Sequence, residues 1–235
     1  MAPQAVPTLL SVETATETAS LALWREGAVA CERCVEPGRP TAEALLPALD
    51  ALLREAGLDL AAVGGFAVSV GPGSFTGLRI GIATVKGLAF GTGRRVAPVS
   101  TLAALAGQAP GEAPVAAVLD ARRGELYAAG FENGAPAAWL PETVLPVSEL
   151  AQRLPAGCRV VGEGLAVCAD ALRAARGAEL ALLETPPDTA AGQVARIGAA
   201  QWSRGEAVAA EALLPRYVRR AEAEVKRTGQ RFETG

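Results

Sequence analysis

Histidine is missing from all 235 residues of the chain. Its absence excludes imidazole acid–base catalysis, every Ser-His-Asp or Cys-His nucleophile and all His-ligated metal sites. Aromatic residues are scarce at 4% and methionine occurs once, so the core must be built mainly from Ala, Val and Leu. An excess of basic charge is missing too, with 22 Lys and Arg against 25 Asp and Glu, a net −3. Such a chain does not grip nucleic acid by its own field, and any RNA role leans on a partner. No apolar run approaches the roughly 20 residues of a membrane span. Residues 1–7 lack the positive region of a signal peptide. The expected location is therefore cytoplasmic, without membrane contact.

Cysteine is sparse, and its placement carries no chemistry. Cys31 and Cys34 have the CxxC spacing but lie in a strand-like run, 28–35, whereas a redox pair sits at a helix N-terminus that lowers its thiol pKa. Cys158 and Cys168 are too far apart for a zinc knuckle. These read as structural thiols, and no metal site is expected.

Half of the residues are hydrophobic and a fifth charged, so the chain can bury a core. Residues 6–12, 19–24 and 28–35 read as three antiparallel strands, with the polar turn Glu13-Thr14-Ala15-Thr16-Glu17-Thr18 between the first two. Leu45, Leu49 and Leu52 recur at helical spacing over 42–56, with Pro47 inside and Gly57 as the stop. A strand at 66–70, a helix at 75–90, a strand at 96–99 and a short helix at 102–106 follow. The Pro- and Gly-rich stretch 107–114 is the expected linker. Beyond it the opening theme returns. A strand at 115–119 ends in Asp120-Ala121-Arg122-Arg123-Gly124, then come 125–131, the hairpin signal Asn133-Gly134 and a weaker third strand near 137–140. Helix 148–154, strand 159–162 and helix 164–175 complete the repeat, before helices at 189–203 and 207–214. The order repeats at about 8–56 and 115–175, an internal duplication at the level of fold. The expected class is α/β, with duplicated βββα lobes of the actin-like ATPase (ribonuclease H-like) type and mixed sheets flanked by helices. One lobe would span 1–106 and the other 107–235, the latter ending in a mobile tail. In that architecture the turns after the first strand of each lobe face a shared cleft and hold nucleotide phosphates.

Gly71-Pro72-Gly73-Ser74-Phe75-Thr76-Gly77-Leu78-Arg79-Ile80-Gly81 joins a strand to a helix. It lacks the Gly-Lys-Ser/Thr of a Walker A loop, and Ser100 stands where a dinucleotide fingerprint needs an acid. Ser74 or Thr76 caps the helix, while Gly77 and Gly81 leave one stripe nearly flat, continued by Thr84 and Leu88. Glycine costs a helix about 1 kcal/mol against Ala, which close approach of another backbone would offset. That backbone could belong to the same chain or to a partner.

The ordered motifs Ser11-Val12-Glu13-Thr14-Ala15-Thr16, Gly71–Gly81, Val99-Ser100-Thr101-Leu102, Leu119-Asp120-Ala121-Arg122-Arg123-Gly124-Glu125-Leu126-Tyr127 and Pro215-Arg216-Tyr217-Val218-Arg219 resemble those of the TsaB (YeaZ) family, over about residues 8–219. The resemblance implies a role in making threonylcarbamoyladenosine next to the anticodon of tRNAs that read ANN codons. In that system TsaC makes threonylcarbamoyl-AMP, TsaD transfers the threonylcarbamoyl group, and TsaE is an ATPase acting on the complex. TsaB is the non-catalytic relative that binds and supports TsaD. TsaD-like transferases hold their metal through paired histidines, which this chain cannot supply.

By the same resemblance the chain is a homodimer when alone and pairs with TsaD in the working complex, meeting tRNA only there. The partner surface would use Gly77, Gly81, Thr84 and Leu88 with Leu45 and Leu49, which favours the interface reading of the glycine stripe. Glu13, Thr14, Thr16, Asp120 and Arg122 would line a vestigial nucleotide cleft, although Asp120 and Arg122 read better as a local turn network. Glu13 replaces the Asp usual in relatives, where catalytic members use it on the magnesium side. Pro40-Thr41-Ala42-Glu43 stands where relatives often carry a His. No catalytic residue and no cofactor of this chain's own are expected, with ATP held by the complex. The alternative is a stand-alone actin-like ATPase or kinase, which tight Mg-ATP binding would reveal. A peptidase reading has no base to activate Ser74 or Ser100.

Overall fold

Along Leu9–Glu13 the side chains alternate, Leu10 and Val12 to one face and Ser11 and Glu13 to the other. The computed structural model describes residues 4–36, 38–109, 111–183 and 190–218. In it, strand β1 (Leu9–Glu13) pairs antiparallel with β2 (Ser20–Arg25), and β2 with β3 (Ala28–Cys34). On its other edge β1 pairs parallel with β4 (Gly65–Gly71), which pairs parallel with β5 (Val96–Ser100), giving the order β3-β2-β1-β4-β5. The second sheet repeats the scheme. Strands β6 (Val115–Asp120), β7 (Glu125–Glu132) and β8 (Ala135–Pro136) run antiparallel, and β9 (Thr143–Pro146) also pairs with β7. Strands β10 (Arg159–Val161) and β11 (Ala181–Leu183) extend β6 in parallel, in the order β11-β10-β6-β7-β8. This is the duplicated actin-like, ribonuclease H-like α/β fold.

The helices fill layers around the sheets. On one face of the first sheet, Leu10, Val12, Phe66 and Val68 meet α1 (Thr41–Glu55) through Leu45 and Leu49, and α2 (Phe75–Thr92) through Leu78 and Ile82. Between the sheets lie α3 (Thr101–Ala106) and α6 (Ala190–Ser203). On the far face of the second sheet lie α4 (Val147–Arg153) and α5 (Leu165–Arg176). The middle layer explains the composition. Ala22, Ala67 and Ala97 line the first sheet where α6 crosses it, and a Cβ added at Gly198 would stand 2.5 Å from the Ala67 Cβ. A helix can come this close only over small side chains, so alanine and glycine take the place of aromatics. The buried Ser11 hydroxyl lies within hydrogen-bonding distance of the Ala191 carbonyl at 2.8 Å and of the Ala22 carbonyl at 3.0 Å, tying α6 to β1.

Helix α1 runs through Pro47, as the spacing predicts, with the ring exposed. Other expectations need correction. Residues 207–214 are not a helix, because Val208 exchanges two 2.8 Å backbone hydrogen bonds with Val96 and only a 3₁₀ turn, Ala210–Ala212, follows. The third strand of the second lobe is the short β8. Residues 137–140 instead fold back so that the Trp139 ring covers Gly130. The boundary at residue 106 separates the sheets but not the lobes' helices, since α6 and residues 208–216 return to the first sheet. The expected C-terminal tail, 219–235, lies outside the described residues.

Candidate functional site

The turn after β1 is closed by its own acid. Glu13 is 1% exposed, and one carboxylate oxygen accepts the backbone N–H of Ala15 at 2.6 Å and of Thr16 at 3.2 Å. The Thr16 hydroxyl bonds the other oxygen, and the Ser69 hydroxyl donates to the first at 3.2 Å. Burial pushes the Glu13 carboxyl above its usual range, while the hydrogen bonds from Thr16, Ala15 and Ser69 pull it down. The next amide, of Glu17, donates to both Glu163 oxygens at 2.9 and 3.0 Å. Three successive N–H groups, the kind of concavity that holds a phosphate, are thus taken by carboxylates of the chain itself. These residues do not fit a nucleotide phosphate or its magnesium at this turn.

Thr14, 2% exposed, links the turn to α2, its hydroxyl donating to the Gly77 carbonyl at 2.8 Å. A Cβ at Gly77 would overlap the Thr14 carbonyl oxygen, and one at Gly81 the Thr14 hydroxyl. The loop before α2 follows the same path, with the Ser74 N–H donating to the Ala15 carbonyl at 2.7 Å and the Ser74 hydroxyl capping the helix at Gly77. This corrects the expected partner surface. Gly77, Gly81, Leu45 and Leu49 face inward, the glycines onto Thr14 and the leucines into the core. Thr84 and Leu88 are half-buried at the margin of α2, whose outer side carries Ala83, Gly87 and Phe90. Phe90 is 74% exposed, and Leu46 on the neighbouring α1 is 52% exposed.

Asp120 and Arg122 do not join the first turn. Asp120 accepts the Arg122 backbone N–H at 2.7 Å and pairs with its guanidinium at 3.0 Å, a closed local network. The cleft residue that the sequence signalled too briefly to weigh is Glu163, in Gly162-Glu163-Gly164, where the adenosine-side loop of an actin-like protein would fall. Its flanking glycines were the available signal, because a Cβ at Gly162 would strike the Val118 carbonyl oxygen and one at Gly164 would stand 2.9 Å from the Val118 carbonyl carbon. Burial pushes the Glu163 carboxyl up to about 7, countered by the Glu17 N–H and reinforced by the charges of Glu13 and Glu17.

Glu142 was missed. It accepts from the Ser100 hydroxyl at 3.0 Å and pairs with Arg216 at 3.3 Å, and burial raises its carboxyl against the pull of Arg216. Arg216 belongs to the last quoted motif, whose neighbour Tyr217 packs on Phe75 with ring centroids 5.3 Å apart and meets the Arg79 guanidinium at 3.2 Å. None of the four cysteines is in a disulfide. Cys31 and Cys34 lie on β3, away from any helix N-terminus, and burial raises the Cys31 thiol. Among the described residues no helix is long and apolar enough to cross a membrane, and no group of three acidic or thiol side chains is placed to hold a metal.

Residues 37–226 match the family model described as TsaD, tRNA N6-adenosine threonylcarbamoyltransferase. The tRNA threonylcarbamoyladenosine biosynthesis protein TsaB of Escherichia coli is 34% identical over 223 residues, covering 90% of this chain and 94% of that protein. The solved structure of YeaZ from Pseudomonas aeruginosa superposes with a TM-score of 0.75 at 35% identity, over 90% of this chain and 99% of that one. Component A of (R)-2-hydroxyglutaryl-CoA dehydratase from Acidaminococcus fermentans shares the fold alone, with a TM-score of 0.51 at 11% identity over 83% of this chain and 99% of its own. With coverage this nearly end to end, the chain belongs to the TsaB (YeaZ) family of tRNA threonylcarbamoyladenosine biosynthesis proteins.

Proposed function

We propose that the chain is a non-catalytic partner subunit that binds TsaD and supports formation of N6-threonylcarbamoyladenosine next to the anticodon of ANN-decoding tRNAs. The observation that carries this reading is Glu13. The acid at the position where catalytic relatives use Asp on the magnesium side is buried and spent on its own turn. A chain without histidine also cannot supply the paired metal ligands of a TsaD-like transferase.

The face offered to TsaD is the outer side of α1 and α2, around Leu46, Ala83, Gly87 and Phe90, with Thr84 and Leu88 at its edge. The same face serves the homodimer when the protein is alone, TsaE acts on the assembled complex, and tRNA is met only there. No cofactor belongs to this chain, and any ATP is bound by the complex. The working compartment is the cytoplasm.

The test is reconstitution with TsaC, TsaD, TsaE, ATP, threonine, bicarbonate and tRNA, with and without this protein, reading modified adenosine by mass spectrometry. Omission is expected to abolish multi-turnover product, and the protein alone to make none. Undiminished product on omission refutes the reading and turns attention to a stand-alone actin-like ATPase or kinase.

A further inference from the structure

Two acidic side chains of the second lobe end on the first. Glu163, carried just beyond β10, accepts the Glu17 N–H with both oxygens, at 2.9 and 3.0 Å. Glu142, just before β9, accepts from Ser100 at the end of β5 and pairs with Arg216, whose own N–H donates to the Val70 carbonyl at 2.7 Å. On the first lobe, Glu17 and Ser100 both lie at the carboxyl ends of the parallel strands β1 and β5, the edge where open α/β sheets receive their ligands.

Holding Glu163 here is costly, because it is partly desolvated and sits beside the acids Glu13 and Glu17. A neutral side chain would avoid that cost but could not offer two charged oxygens to one amide. The glycines on either side allow the backbone to pass directly over Val118, which aims the carboxylate across the cleft.

We propose that Glu163 is a built-in anion that clasps the two lobes together, seconded by Glu142 and Arg216, so that the chain's own carboxylates close the cleft in place of a phosphate ligand. The inference deepens the non-catalytic reading and rests on it. It is tested on the isolated full-length protein, so its failure leaves the reconstitution result standing.

The experiment is hydrogen exchange at single-residue resolution on wild type, Glu163→Ala and Glu163→Asp, the last one methylene too short to reach. Both variants are expected to exchange the Glu17 amide about tenfold or more faster, as loss of a charge-assisted bond implies, while α1 keeps its protection. Inorganic phosphate added to wild type is expected to leave the Glu17 rate unchanged. Wild-type exchange at Glu17 in both variants, with α1 still protected, overturns the clasp, and so does slowing of the wild-type amide by phosphate. If Glu163→Ala loses α1 protection as well, the same comparison on Glu163→Asp decides.

Discussion

Two Gly→Ala substitutions in the same helix should have opposite signs. At Gly87 a Cβ meets nothing within 4 Å, so Gly87→Ala only adds helix propensity and should stabilise the protein by about 0.5–1 kcal/mol. At Gly77 the same propensity gain is opposed by an overlap with the Thr14 carbonyl oxygen, with the Thr14 carbonyl carbon at 3.1 Å and the Ser74 Cβ at 3.3 Å. The nearest obstacle is backbone, not the free end of a side chain, so the turn itself must move. Overpacking of this kind costs about 3 kcal/mol. Moving Thr14 also gives up its 2.8 Å bond to Gly77, about 1 kcal/mol more. Less the propensity gain, Gly77→Ala should destabilise by about 3 kcal/mol, or roughly 6–12 °C in Tm for a chain of this size. Urea titration of both variants followed by circular dichroism measures the pair. A Gly77→Ala protein within about 0.5 kcal/mol of wild type would refute the account of the stripe as an internal contact.

On the outer face, Phe90→Asp and Leu46→Asp should leave stability within about 0.5 kcal/mol of wild type yet abolish co-elution with TsaD on gel filtration, whereas Gly81→Arg should fail to fold. Acid should stabilise the fold against unfolding, because relief of the buried carboxylates outweighs the charge that protonation takes from the Glu163–Glu17 bonds. Glu163 titrates at about 7 when folded against 4.5 otherwise, and Glu13 and Glu142 are shifted upward too. A raised carboxyl contributes stability that is full below the unfolded value and is lost as pH climbs through the folded one. Tm is therefore expected to fall between about pH 5 and about pH 8, and Glu163→Gln to flatten part of that fall. Burial pushes the Cys158 and Cys168 thiols up to about 11, so iodoacetamide near pH 8 should leave both unlabelled until urea unfolds the second lobe, as read by mass spectrometry.

What the sequence showed and what it hid divides by distance along the chain. The β7–β8 hairpin is legible because Asn133 and Gly134 carry the positive φ values its turn requires, 50° and 76°, within the turn itself. The start of α2 is legible because the Ser74 cap lies three residues from the amide it serves. The strand-rich opening of each lobe is written in adjacent apolar runs, so the duplicated fold could be read. The path of 207–214 could not, because Val208 answers to Val96, more than a hundred residues earlier. The glycine stripe was visible as a surface made for close approach. Whether Thr14 or a partner approaches it depends on a loop sixty-three residues away, and spacing within the helix carries no trace of that choice.

Four of the five motifs that seemed separate in the sequence form one connected support. The Glu13 carboxylate shapes the first turn, and Thr14 and Ala15 of that turn hold Gly77 and Ser74 at the start of α2. Arg216 passes over Gly71, where a Cβ would collide with its carbonyl oxygen, and binds Glu142, while Tyr217 covers Phe75 and Arg79. The contacts of Thr14, Ala15 and Tyr217 converge on the N-terminal end of the helix whose outer side is proposed to meet TsaD. A turn that could have held phosphate has its amides taken by acids, and its backbone serves as the seat of α2. On this geometry a substitution at Thr14 or Ala15 should reach TsaD through the placement of α2 rather than through any nucleotide. Thr14→Val, which removes the hydroxyl but nearly keeps the volume, should therefore weaken the complex while leaving the isolated lobes folded.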